Sequence, residues 1–142
     1  MPSFKSGRLR AVGPNMKPRI VIADDNERVL ATLVSVLSLD FEVIATASDG
    51  RSALEHIQRL RPRVAVLDLN MPELNGIEIV RELVRHQLAC VAVICSVESD
   101  PELVAAAEGA GALGYVLKRR LKHDLVTAVR SAASGGRFFS AL

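Results

Sequence analysis

From Arg19 onward, short apolar runs alternate with amphipathic stretches of roughly ten to fifteen residues. The runs are Ile20-Val21-Ile22-Ala23, Phe41 to Thr46, Val64-Ala65-Val66-Leu67, Cys90 to Cys95 and Leu113 to Leu117. They are largely apolar throughout rather than alternating, which predicts strands buried on both faces of a sheet. Between them, Val29, Leu30, Leu33, Val36 and Leu37 share one helical face. Leu54, Ile57, Gln58 and Leu60 do so less cleanly. Val80, Leu83 and Val84 form a third face, and Leu121, Leu125, Ala128, Val129 and Ala132 a fourth. Asp49-Gly50 and Ser99-Asp100-Pro101-Glu102 read as helix starts, and Gly135-Gly136 as the stop after the last helix. Asp24 or Asp25 is a candidate N-cap for the first helix. Strand–helix alternation predicts parallel strands joined by right-handed crossovers. The expected fold is α/β, a doubly wound five-stranded parallel sheet of (βα)5 form over residues 19–136. Residues 1–18, with three prolines, two glycines and no periodicity, are expected to be a disordered leader, and 137–142 a short C-terminal tail.

Composition narrows this picture. A chain of 142 residues fits one domain, and with no Trp, one Tyr and four Phe its core falls to Val, Leu, Ile and Ala. No apolar run approaches the ~20 residues of a membrane helix, and no secretory signal is visible. The net charge of +2 conceals an asymmetry. Lys5, Arg8, Arg10 and Lys17 stand in the first 17 residues without an acid, leaving 14 basic and 16 acidic residues beyond them. Bulk charge therefore gives no case for nucleic-acid binding. Cys90 and Cys95 match neither redox nor zinc spacing and read as buried thiols of a reduced, cytoplasmic protein.

In open parallel sheets, chemistry collects at the carboxyl ends of the strands. Asp24 and Asp25 follow the first strand and Asp68 ends the third. Ser96 follows the fourth and Lys118 ends the fifth. Three carboxylates at one rim repel each other and lose hydration, and a divalent cation relieves both. Mg²⁺ suits an all-oxygen set of Asp24, Asp25, Asp68 and a backbone carbonyl near Asn70. A strand-end carboxylate beside it is a nucleophile toward a phosphoryl group, with Lys118 meeting the phosphoryl oxygens and the Ser96 hydroxyl drawn to them.

These residues resemble those of the receiver domains of bacterial two-component response regulators. The matching elements are Ile22-Ala23-Asp24-Asp25, Val66-Leu67-Asp68-Leu69-Asn70-Met71-Pro72 with Asn75-Gly76, Ser96, and Gly114-Tyr115-Val116-Leu117-Lys118. Asp25 and Asp68 are separated by 43 positions, Asp68 and Ser96 by 28, and Ser96 and Lys118 by 22, in the family's register. The start Ile-Ala-Asp-Asp and the ending Gly-Gly-Arg-Phe-Phe-Ser resemble the NarL/FixJ subgroup. The resemblance implies a flavodoxin-like fold and a phosphoacceptor at Asp68, loaded by a sensor histidine kinase. It implies Mg²⁺ at Asp24, Asp25, Asp68 and the main-chain carbonyl of Asn70, a phosphoryl contact from Lys118, and a switch made of Ser96 and Tyr115. Asn70 and Glu98 occupy the positions that tune dephosphorylation. The implied output is protein contact, including a homodimer on phosphorylation. DNA binding is expected only through a separate or missing helix-turn-helix domain. Arg119 stands where most receivers carry proline.

Other readings compete. An aspartyl-phosphate phosphatase needs a second acid two residues after the nucleophile, where this chain has Asn70. A nucleotide or flavin module needs a phosphate-cradling loop after the first strand, where Asp24-Asp25-Asn26-Glu27 repels phosphate. A degenerate receiver acting as a scaffold fits the fold but leaves the full acidic set without a purpose. The expectation is a signalling switch rather than an enzyme, with slow self-dephosphorylation at most. Tyr115 has an ordinary alternative, a half-buried strand aromatic with its hydroxyl in water. Lys118 to Lys122 reads as a solvated face of the last helix, and His56, His86 and His123 as plain helical residues.

Overall fold

The first apolar run forms β1 (Arg19–Ala23), which lies between β2 (Glu42–Ala47) and β3 (Val64–Asp68). These positions come from a computed structural model that describes residues 16–140. Beyond β3 lie β4 (Val91–Ser96), β5 (Gly114–Leu117) and β6 (Phe138–Phe139), all parallel to their neighbours. The crossovers are α1 (Glu27–Leu37), α2 (Gly50–Leu60), α3 (Gly76–Arg85), α4 (Pro101–Ala110) and α5 (Leu121–Ala133). The doubly wound α/β architecture is thus as expected, with one addition. Residues 138–139, expected in a tail, extend the sheet to six strands. Two residues are too few to show a period, and it is the open edge of β5 that recruits them. The expected leader lies outside the described residues up to position 15. At its end, the Pro18 carbonyl accepts a bond from Glu42 N at 2.9 Å.

The two faces of the sheet divide the core by strand parity. Ile20, Ile22, Val64, Val66, Val93, Cys95 and Val116 pack with Leu33 and Leu37 of α1 and Leu125, Ala128, Val129 and Ala132 of α5. Val21, Ala23, Leu67, Ile94, Tyr115 and Leu117 pack on the other face with Ile57 of α2, Ile79 and Leu83 of α3, and Ala107 of α4. Cys90 and Cys95 are free and buried, and burial pushes both thiols up to about 12. They behave as small apolar side chains.

Three local expectations change. Gln58 is exposed and Ala53 takes the buried position on α2. Val84 is 61% exposed, because Ile79, Val80 and Leu83 already cover the sheet from α3. The cap of α1 is neither Asp24 nor Asp25 but Asn26, whose side chain accepts from Arg28 N and Val29 N. This leaves both carboxylates of the acidic pair to face the rim. Asp49 and Asp100 cap α2 and α4 as expected.

One glycine holds the rim loop against α2. A Cβ on Gly50 would stand 1.9 Å from the Leu74 carbonyl oxygen, and Gly50 N donates to Pro72 O at 3.0 Å. Gly50→Ala is therefore expected to destabilise the fold by about 3 kcal/mol, since backbone cannot yield as a side chain can. Gly109 on α4 has nothing within 4 Å of its would-be Cβ. Gly109→Ala should instead stabilise by about 0.5 kcal/mol. Urea midpoints with unchanged slope would register both.

Candidate functional site

Parallel register brings the strand ends to one rim. Ala23 of β1 pairs with Leu67 of β3, Asp68 with Cys95 of β4, and Ser96 with Leu117 of β5. The next residue after each strand end, or the end itself, is therefore Asp24, Asp68, Ser96 or Lys118. Carboxylate oxygens of Asp24, Asp25 and Asp68 lie within 4.8 Å of one another. Lys118 Nζ stands 2.7 Å from Asp24 Oδ2 and 3.2 Å from Asp68 Oδ1. Asp24 is fully buried, Asp68 is 6% exposed, and Asp25 is open to solvent. Asp25 and Asn70 line one open cleft of about 420 Å³, together with Glu73 and Glu78.

The electrostatics follow from this crowding. Burial, and then the charge of Asp24, push the Asp68 carboxyl above its usual value, outweighing Lys118 and the Asn70 N–H. Burial works against the Lys118 ammonium, yet its contacts with Asp24 and Asp68 win and hold its pKa above the ordinary value. One lysine faces three carboxylates, so the cluster retains a negative excess. Asp24 Oδ1 accepts from Asn26 N at 2.9 Å, whereas its buried Oδ2 accepts no well-directed hydrogen bond and meets the ammonium only as an ion contact. Three carboxylates with a single ammonium among them, all offering oxygen, fit a hard divalent cation.

Ser96 and Tyr115 meet at Glu98. Ser96 is fully buried and its Oγ accepts from Glu98 N at 3.0 Å. The Tyr115 ring is 1% exposed, and its hydroxyl donates to the Glu98 carbonyl at 2.7 Å. The reading with this hydroxyl in water is thereby corrected: the ring fills the core against α4, and its polar end finds a backbone acceptor. Burial raises the Tyr115 pKa. Among the described residues no hydrogen bond joins Ser96 to Asp68.

Residues 20–130 match the model of the response regulator receiver domain. The chain belongs to the receiver domain family. Receivers are signalling switches of two-component systems rather than enzymes. Among curated relatives, the chain is 33% identical over 124 residues to the transcriptional regulatory protein DegU of Brevibacillus brevis. That match covers 86% of this chain and 52% of the relative. It is 36% identical to the transcriptional regulatory protein YvfU of Bacillus subtilis, over 86% of this chain and 62% of the relative. The chain thus spans little more than half the length of these relatives. The receiver domain of the response regulator NarL from Mycobacterium tuberculosis superposes with a TM-score of 0.81 at 33% identity, covering 84% of this chain and 98% of that one. The likeness to the NarL receiver agrees with the NarL/FixJ-like resemblance of the sequence.

Two polar residues of this receiver escaped the sequence reading. Asp124 is 4% exposed and Ser140 5% exposed, and they bond to each other at 2.7 Å. The signal for Asp124 was present: it falls between Leu121 and Ala128 at helical spacing, an acid on an apolar face, with Arg120 four residues before it. The run Lys118 to Lys122 is not one solvated face. Lys118 turns into the rim and Arg120 onto Asp124, whereas Arg119 and Lys122 are exposed.

Proposed function

We propose that this receiver accepts a phosphoryl group on Asp68 from a phosphohistidine of a sensor histidine kinase. The observation that carries this reading is the cluster of three carboxylates at one rim, with a single lysine pairing with two of them. Mg²⁺, held by Asp24, Asp25, Asp68 and the Asn70 carbonyl, would neutralise the carboxylates and the phosphoryl oxygens. The Asp68 oxygen forms the new bond to phosphorus as the bond from phosphorus to the histidine nitrogen breaks, and the imidazole retains that electron pair. Lys118 offers its ammonium to the incoming oxygens.

The switch follows from the Glu98 backbone. Ser96 Oγ exchanges its bond from Glu98 N for one donated to a phosphoryl oxygen, which draws the β4–α4 loop inward. Tyr115 holds the Glu98 carbonyl and passes the shift to the β5 face. The effect is a population shift between two states rather than a new structure. The output is contact with another protein, a second copy included. DNA contact would come through a segment other than this domain. No described helix is long and apolar enough to cross a membrane, and a kinase-loaded switch of this kind works in the cytoplasm.

Incubation with acetyl phosphate and Mg²⁺, followed by intact-mass measurement, tests the reading. One phosphoryl adduct is expected, and none after chelation by EDTA; an unaltered mass with metal present would sink the proposal. Asp25→Ala should weaken Mg²⁺ binding by at least about tenfold while leaving the urea midpoint unchanged or raised, because it removes a ligand and a repulsive charge together. A lower midpoint would make Asp25 structural.

A further inference from the structure

Asp124 presents a charge that the phosphoacceptor chemistry does not use. A carboxylate buried on the apolar face of a helix is costly, and an apolar residue of similar size would pack there more cheaply. Its bonds show what it holds. Asp124 Oδ2 accepts from Arg120 Nε at 2.9 Å and from Ser140 Oγ at 2.7 Å, and Asp124 Oδ1 meets His123 Nδ1 at 2.6 Å. Ser140 Oγ in turn accepts from Leu117 N at 3.3 Å, and Ser140 N donates to the Tyr115 carbonyl at 2.8 Å.

Leu117 precedes, and Arg120 ends, the same short element. The 3₁₀ turn Lys118–Arg120 begins directly after β5 and carries the ammonium that reaches Asp24 and Asp68. A turn of three residues has poor internal hydrogen bonding. None of its residues is proline, so no ring fixes the backbone. We propose that Asp124 and Ser140 are positioning residues for Lys118, clamping both ends of its turn through Arg120 and Leu117. The clamp rests on the reading in which Lys118 meets the phosphoryl group. It also gives β6 a purpose. The last described residue of the chain is wired to the phosphorylation rim through one serine hydroxyl and one backbone amide.

A catalytic contact displaced by about 1 Å can lose up to roughly 10²-fold in rate. Ser140→Ala removes one hydroxyl but keeps the backbone bond of Ser140 to Tyr115, so β6 retains its pairing. Asp124→Asn keeps the shape and removes the charge.

The test uses Ser140→Ala, Asp124→Asn and the conservative Ser140→Thr in the full chain. Amide hydrogen exchange over residues 117–120 is followed without metal, and acetyl phosphate uptake with Mg²⁺ is followed by mass. Mg²⁺ affinity is measured by calorimetry. Ser140→Ala and Asp124→Asn are expected to speed exchange at Leu117 and in the turn, and to slow uptake about tenfold, with Mg²⁺ affinity unchanged. Ser140→Thr should restore both. Uptake at the wild-type rate after correction for folded fraction would overturn the clamp, and so would a loss of Mg²⁺ affinity in step with rate. If Asp124→Asn fails to fold, Ser140→Ala decides alone. A wild-type chain that takes up no phosphoryl group sinks the phosphoacceptor reading and the clamp with it. Variants that match a phosphorylated wild type sink the clamp alone.

Discussion

Asp68→Asn is expected to abolish the phosphoryl adduct and the binding of beryllofluoride with Mg²⁺, leaving both at background. The amide is nearly isosteric with the carboxylate, so the loss would report chemistry rather than packing. The same variant carries a stability signature of opposite direction. Burial and Asp24 hold the Asp68 pKa above its usual value in the folded protein. The folded state therefore binds this proton more tightly than the unfolded one, and metal-free stability is present below the unfolded pKa and declines as pH rises through the folded one. Asp68→Asn removes that decline. Denaturation by urea from acid to neutral pH, without metal, should show wild type losing stability where the variant stays flatter. A variant that became less stable at neutral pH would mean that Asp68 is mainly a partner for Lys118. A variant that still gained a phosphoryl group would place the acceptor elsewhere.

Lys118→Ala is expected to fail in the contrary way. Mg²⁺ binding should persist, because the oxygen ligands remain and a competing cation has gone. Acetyl phosphate uptake should fall roughly 10²-fold, the usual loss when one preorganised charge at a transition state is removed. The fold should also weaken at neutral pH. Asp24 and Asp68 lose the ammonium at 2.7 and 3.2 Å, and Asp24 has no water-exposed surface to recover hydration. A fully buried broken pair costs several kcal/mol, but proton uptake by Asp68 and water at the rim reduce the figure here to about 2 kcal/mol. The sign with pH follows from the raised ammonium pKa. Its contribution is full below the unfolded lysine value and is lost as pH rises through the folded one. Mg²⁺ should recover part of the lost stability by mass action. If Lys118→Ala matched wild type in uptake, the lysine would serve only to balance charge.

Asp68 and Lys118 were legible because both stand where a buried apolar run stops, and that boundary is written locally. The acidic pair was legible for the same reason, though its local surroundings misled in one detail: Asn26, not an aspartate, caps α1. Tyr115 was half legible. Its place in β5 followed from the run, but its hydrogen bond to Glu98, 17 residues away, depends on how β4 and β5 lie together. Asp124 was read past because the apolar face of α5 is otherwise complete, and its partner Ser140 sits in a segment with no period to read. Gly50 meets Leu74 across two connections, and nothing near either residue announces the contact.

By itself, then, the order of residues determined which segments are strands and helices, which faces are apolar, and which carboxylates, hydroxyl and ammonium stand at strand ends. Those are short-range matters, set by periods of 2 and 3.6 and by the chemistry of caps and turns. The tertiary structure alone decided the register that gathers the Asp24, Asp25 and Asp68 carboxylates and sets Lys118 against Asp24 and Asp68, the seat of Tyr115, the sixth strand and the Asp124–Ser140 bond. Such contacts join residues far apart in the chain. They arise from the closure of the whole sheet, and backbone pairing and packing leave no local periodic trace of their partners.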